Sequence, residues 1–195
     1  MRGFTLIEIL IATSIVIGVM WLVSTFILDI SQFQFFVGES LDVEQEVQSA
    51  LKIIIPEVRS IGTANNGGYM ISAASSSSFT FFSDIDNDNL LEQVRYFLDG
   101  TTLKKGVIKP GVSPYIYDPL NEKISEVVHN VTSANIFTYY NKNYDAINKA
   151  SLPVPIDISA VRVVKIKLTV DKNPNQEPTP QTYSVTLEIR NLRGQ

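Results

Sequence analysis

Hydrophobic and polar positions follow two rhythms along this chain. From Ile9 to Leu28 the sequence runs ILIATSIVIGVMWLVSTFIL without a charge. As a helix rising 1.5 Å per residue, this run covers ~30 Å, the thickness of a bilayer core. Beyond it, Phe33, Val37, Leu41, Val47, Leu51, Ile54, Val58 and Ile61 keep an apolar stripe at helical spacing, with acids and glutamines between them. No glycine-rich break separates the two stretches, so one helix is predicted from Phe4 to about Ile61. Its first half is apolar all round and its second half amphipathic. Pro56 has no amide proton to donate and predicts a kink or restart near the helix end.

After residue 61 the period changes. Residues 62–78 are rich in Gly, Asn and Ser and read as a loop. Ser78–Ser83 reads as a strand, and Glu92–Leu98 alternates with Val94, Tyr96 and Leu98 on one side. Asp99-Gly100 is a turn signal, with Thr102–Ile108 as the returning strand. Residues 109–120 hold three prolines and predict an irregular loop. Ile124, Val127, Val128 and Val131 recur at helical spacing, which predicts a short helix over 122–131. Asn135–Tyr140 reads as a strand. At the end of the chain, Val164, Ile166, Leu168 and Val170 share one face of a strand, and Tyr183, Val185, Leu187 and Ile189 share one face of another. Residues 171–182 join them as a proline-rich hairpin loop. The expected class is α+β, a long N-terminal helix packed on an antiparallel β-sheet.

Charge gives the apolar run a direction. Arg2 is the only basic residue before Lys52, whereas Asp29, Glu39, Asp42, Glu44 and Glu46 follow the run. A base before the span and acids after it orient the N-terminus to the cytoplasm, in the inner membrane, with the rest outside. A cleaved secretory signal is a poorer reading: its apolar region spans about 7–15 residues before a small-x-small site, and here Phe33, Phe35 and Phe36 come next. The 16 basic and 20 acidic residues form no basic cluster, so direct nucleic-acid binding is not expected. The chain has no cysteine, which excludes disulfides and thiolate chemistry.

One carboxylate, Glu8, stands at the head of the apolar run. An ionised group at the centre of a bilayer costs roughly 2.5–3.5 kcal/mol on insertion scales, so its placement calls for a partner or an escape to the interface. The residues before it are Gly3-Phe4-Thr5-Leu6-Ile7. Gly3-Phe4, Glu8 and the apolar helix together resemble the prepilin cleavage and methylation signal of type IV pilins and of the pseudopilins of type II secretion and competence systems. The resemblance implies that a prepilin peptidase cuts between Gly3 and Phe4 and methylates the new Phe4 amine. It implies that Glu8 then meets the Phe4 amine of a neighbouring subunit during filament assembly. The chain would divide into a leader (1–3), a transmembrane half-helix (4–28), an amphipathic half-helix (29–61) and a β-rich globular domain (62–195). The order of elements beyond the helix is similar to that of J-type minor pseudopilins and W-type minor pilins, which implies a place near a filament tip. The implied partners are other pilin or pseudopilin subunits, the prepilin peptidase, an inner-membrane assembly platform and the membrane itself.

The remaining candidate chemistry is sparse. Asp84, Asp86 and Asp88 alternate in SDIDNDNLLEQ and could offer hard oxygens to Ca²⁺. An EF-hand needs Gly at the sixth loop position and Glu at the twelfth, where this chain has Asn89 and Arg95. A polar turn is therefore the favoured reading, and no cofactor is expected. His129 is the only histidine, expected at an exposed or capping position. Tyr139, Tyr140 and Tyr144 are expected to pack at a strand end rather than form a binding surface. The expected function is a structural filament subunit without catalysis of its own. Its alternatives are a single-span anchored binding domain that never polymerises and an anchored enzyme.

Overall fold

A computed structural model describes residues 3–112, 114–145, 147, 149–174 and 179–192, apart from the side chains at 32, 35 and 36. It has an N-terminal helix, α1 (Leu6–Arg59), followed by eight strands in two antiparallel sheets. By internal contacts the chain forms two compact units, Met1–Asp42 and Val43–Gln195.

Within the first unit, Leu6–Ser31 is a helix long and apolar enough to cross a membrane, and none of its residues is buried within the chain. Three of its hydroxyls are satisfied by the helix's own backbone. Thr13 donates to the carbonyls of Ile9 and Leu10, Ser14 to that of Ile11 and Thr25 to that of Leu22. Hydroxyls satisfied by their own helix are compatible with a hydrocarbon surround, where no water can take their place.

In the second unit, one stripe of α1 enters the core: Val43, Val47, Ala50, Ile54 and Val58, with Ile61 just beyond the helix end. The spacing is that of one helix face. Burying each of the larger side chains contributes about 1.5–3 kcal/mol. The expected stripe is right at Val47, Ile54, Val58 and Ile61, but Phe33 and Leu41 are exposed. Pro56 lies inside α1 without ending it, because the helix continues to Arg59.

The first sheet is a five-stranded meander in sequence order: β1 (Ile71–Ala74), β2 (Ser78–Ser83), β3 (Glu92–Asp99), β4 (Thr102–Ile108) and β5 (Lys123–Val128). The second has three strands, also in sequence order: β6 (Phe137–Tyr140), β7 (Val163–Val170) and β8 (Gln181–Glu188). Phe79 and Phe81 of β2, Val94 and Tyr96 of β3, and Ile166, Leu168 and Leu187 of the second sheet share one core with the helix stripe. The single expected sheet is thus two sheets around that core. The turn between β3 and β4 is as its sequence predicts. Gly100 takes φ +60° at the first of two central positions, a hairpin geometry that glycine adopts without strain.

Two expectations are corrected. Residues 123–128 are an edge strand, not a helix. Ile124 pairs with Gly106 of β4 and remains 54% exposed, so the helical spacing of Ile124, Val127, Val128 and Val131 does not describe a buried face. β-branched side chains beside the open edge of β4 favour the strand. The polar segment 62–78 also holds a short strand, β1, with only Ile71 of its residues fully buried. Tyr139 and Tyr140 pack in the interior as expected, and Tyr144 meets the Tyr140 ring at 4.5 Å between centroids.

Helix and sheet are fastened by a buried polar knot. Tyr96 donates to Glu57 Oε2 at 2.6 Å, and Lys105 Nζ lies 2.5 Å from Glu57 Oε1. The Lys105 and Glu57 side chains are only 14% and 11% exposed. Burial and the Glu57 carboxylate push the Tyr96 phenol far above its ordinary value, so it stays a donor. A carboxylate held between a phenol and an ammonium is tolerated while all three remain, and removing one partner of such a buried pair costs about 3–5 kcal/mol. Glu57→Ala is therefore expected to lower the unfolding free energy in urea by about 3 kcal/mol. Glu57→Leu combined with Lys105→Met should recover most of that loss, and equal losses in the single and paired variants would refute the coupling.

Candidate functional site

The residues singled out at the N-terminus fall in the first unit. Gly3 has open space around it, and Phe4 is 85% exposed. Met1 and Arg2 of the expected leader lie outside the described residues. Thr5 immediately precedes α1, and Glu8 lies in its first turn. The Thr5 amide donates to Glu8 Oε2 at 2.8 Å, the Thr5 hydroxyl donates to the same oxygen at 2.9 Å, and the Glu8 amide reaches Thr5 Oγ1 at 3.4 Å. This reciprocal pair is a capping box, which satisfies amides that a helix start otherwise leaves open. The carboxylate also sits at the positive end of the helix dipole. Thr5 was not anticipated, although Thr-x-x-Glu before an apolar run is a sequence signature of this cap.

The second group lies on the hairpin between β2 and β3. The structure brings Asp84, Asp86 and Asp88 together, with one carboxylate oxygen from each lying within 4.8 Å of the others. Asp84 Oδ2 accepts from the Asn89 amide at 3.1 Å, and Asp88 Oδ1 accepts from the Leu90 amide at 2.8 Å. Asn87 and Asn89 adopt left-handed backbone at φ +61° and +67°, a conformation asparagine tolerates better than most residues. Lys109 is ion-paired with Asp86. That ammonium holds the Asp86 carboxyl below its usual range and is itself raised in return.

Glu92, at the foot of the same hairpin, was also missed. It is fully buried, paired across the strands with Ser83, and accepts from the Ile85 amide at 3.1 Å through Oε2. Burial pushes its carboxyl up, and the negative charges of Asp86 and Asp88 add to the effect. The alternation of β3 already places Glu92 on the face of Val94 and Tyr96, which was the available signal.

His129 follows β5 rather than sitting on a helix, and it has two carboxylate partners. Its Nδ1 lies 2.6 Å from Glu46 Oε1, and its Nε2 lies 3.1 Å from Glu126 Oε2. The His129 amide donates to Glu46 as well, at 3.0 Å. His129 thus ties α1 to β5 within the second unit.

Together these features define an α+β chain with one N-terminal helix long and apolar enough to span a membrane and a carboxylate at its head. A scan against protein-family models finds no match, and a search of curated proteins finds no similar chain.

The hydrogen bonds to Glu46 and Glu126 raise the His129 pKa above its ordinary value. A raised folded-state pKa contributes stability that is fully present below the unfolded value of about 6.5 and is lost as pH rises through the folded value. The urea midpoint is therefore expected to fall as pH rises through the neutral range. His129→Gln should remove that component of the slope, and an unchanged pH profile in the variant would count against the tie.

Proposed function

We propose that this chain is a minor structural subunit of a type IV pilus or type II secretion pseudopilus. It would be held in the inner membrane by Leu6–Ser31, with its β-rich unit outside, until it is assembled. The observation that carries the proposal is a membrane-length apolar helix with no residue buried by its own chain, headed by Glu8 four residues after Phe4 of Gly3-Phe4. An uncovered apolar surface of this size requires lipid or other apolar helices around it. A filament core supplies the second as a membrane supplies the first, so one surface serves both stages.

Processing would cut between Gly3 and Phe4, a segment that is open and exposed. The freed Phe4 amine has an ordinary pKa of about 7.7–8.0 and carries charge at neutral pH. An amine on one subunit and Glu8 on the next would neutralise each other where lipid or packed helices exclude water, fixing the axial register between subunits. The likeness of the later elements to J-type pseudopilins and W-type minor pilins, apart from the expected helix over 122–131 that is strand β5 here, supports a position near the filament tip, beside other minor subunits.

The capping box favours a second reading, in which Glu8 serves only its own helix and the protein is a single-pass anchored binding domain. The two readings separate on three measurements in the native host. Mass spectrometry is expected to find an N-methylated Phe4 at the mature N-terminus, and Gly3→Ala should leave the chain uncut. Thr5→Ala removes the cap at a cost of about 1 kcal/mol and, because it loosens the Glu8 carboxylate without removing it, should reduce filament incorporation by less than Glu8→Ala does. Glu8→Ala should reduce incorporation by at least about tenfold, equivalent to 1.4 kcal/mol, while the outer unit stays folded. An uncut Met1, or identical behaviour of the Thr5 and Glu8 variants, would leave the anchored domain as the better reading.

A further inference from the structure

The first sheet ends in an open edge. Along one side β5 hydrogen-bonds to β4, and along the other it meets no strand among the described residues. Such an edge presents a row of backbone donors and acceptors to any extended chain that reaches it. Beside this edge runs a second stripe of α1. Glu46, Ser49, Ala50 and Ile53, spaced as one helix face, stand across a cleft of about 300 Å³ from Ser125, Glu126 and Val127 of β5, with Tyr96 and Lys105 also lining it. Ser49, Ala50 and Ser125 are small, which leaves the cleft unfilled. Ile53 lines it while remaining 51% exposed. Ile124 alternates away from Ser125 to the other face of the sheet, and it is exposed as well. Apolar surface therefore flanks the open edge on both faces, where one more strand would cover it.

The cleft also has a sign. Its one lining cation, Lys105, is held by Glu57. Its two other charged residues are the carboxylates Glu46 and Glu126, which share the single His129 imidazole. Lys104 lies 3.7 Å from Glu126 but closer, at 2.9 Å, to Asp99. We propose that β5 takes an added strand from another protein. The segment is extended, matches the six residues of β5 in length, and carries a Lys or Arg on the face turned to α1 with apolar residues two positions away. Backbone bonds to the strand edge supply affinity in this mode of recognition, and alternate side chains supply specificity. The base enters between Glu46 and Glu126, where charge complementarity selects it. Its apolar neighbours cover Ile53 and Val127. Lys123 and Glu126 on the edge itself oppose indiscriminate pairing with uncharged strands. This surface belongs to the second unit alone and does not depend on the filament reading.

The test uses the full chain in detergent micelles and the peptide acetyl-Val-Thr-Lys-Thr-Val-Thr-amide, whose Lys and both Val share one face of a strand. Isothermal titration is expected to show saturable binding. Hydrogen-exchange mass spectrometry should show exchange across 123–128 slowed at least about tenfold, with β8, an edge of the second sheet, unchanged. Replacing the peptide's Lys by Glu should weaken binding at least about tenfold. Of two versions N-methylated at alternate residues, one should lose binding and the other keep it, because an added strand turns only one backbone edge to β5. Glu126→Gln and Ile53→Arg, both at exposed positions, should each weaken binding at least about tenfold, and Lys167→Gln on the second sheet should not. Circular dichroism establishes that each variant is folded. Unslowed exchange across 123–128, equal binding of the Lys and Glu peptides, like behaviour of the two N-methylated versions, or wild-type affinity in Ile53→Arg overturns the proposal.

Discussion

The register of β3 depends on one buried interaction, the carboxylate of Glu57 held between Tyr96 and Lys105. Hydrophobic burial alone would bring α1 and the first sheet together, but apolar contact is non-directional. A carboxylate that must meet both a phenol on β3 and an ammonium on β4 allows far fewer arrangements. Because strand side chains alternate, a one-residue slip of β3 would turn Tyr96 away from Glu57 and expose Val94. The same slip would turn Glu92 out of the interior. The polar knot and the buried glutamate at the hairpin foot are therefore set by one register, four residues apart on one strand face.

Other polar contacts follow from the same arrangement. Ser60, just past the end of α1, meets Ser83 at 2.8 Å, and the Gly62 amide donates to the Phe82 carbonyl, so the chain leaving the helix is tied to the end of β2. Gly106 of β4 makes room for Glu122 to reach Arg95, since a Cβ there would lie 2.0 Å from Glu122 Oε1. These contacts stand where strand ends and loops approach the sheet. The apolar stripe supplies most of the stabilisation, and the polar contacts select which packing it stabilises.

Most of the strands that were legible in the sequence have one drier and one wetter face. β3, β4, β7 and β8 lie between the core and a more exposed side, whereas β2 is a short aromatic run buried from Phe79 to Ser83, and the ranges of all five are close to the expected ones. β5 was misread because an edge strand has little buried face to report. Four apolar residues across 124–131 fit a helical period without marking a helix. β1 was missed because ISAA is short and carries a single strong apolar residue. The division into two sheets depends on which strands hydrogen-bond across the long loop before β7, and hydrophobic pattern does not record pairing partners. At the candidate sites, the bonds of Glu8 to Thr5 and of Glu92 to the Ile85 amide were hidden for a shared reason. Each acid was read by its own position, whereas its function is set by the amide it accepts from.

The capping box also bears on how Glu8 could meet a second partner. A carboxylate has about four lone-pair positions, and the two bonds from Thr5 both fall on Oε2. The cap therefore leaves acceptor capacity while fixing the side chain at the N-terminal end of the helix. A free glutamate would lose rotamer entropy on meeting an incoming amine, but Glu8 has already lost it to Thr5. Helix capping and intersubunit pairing are for this reason not rival uses of the carboxylate. The first holds it in place in the monomer, and the proposed second would use that placement when a neighbour's amine arrives.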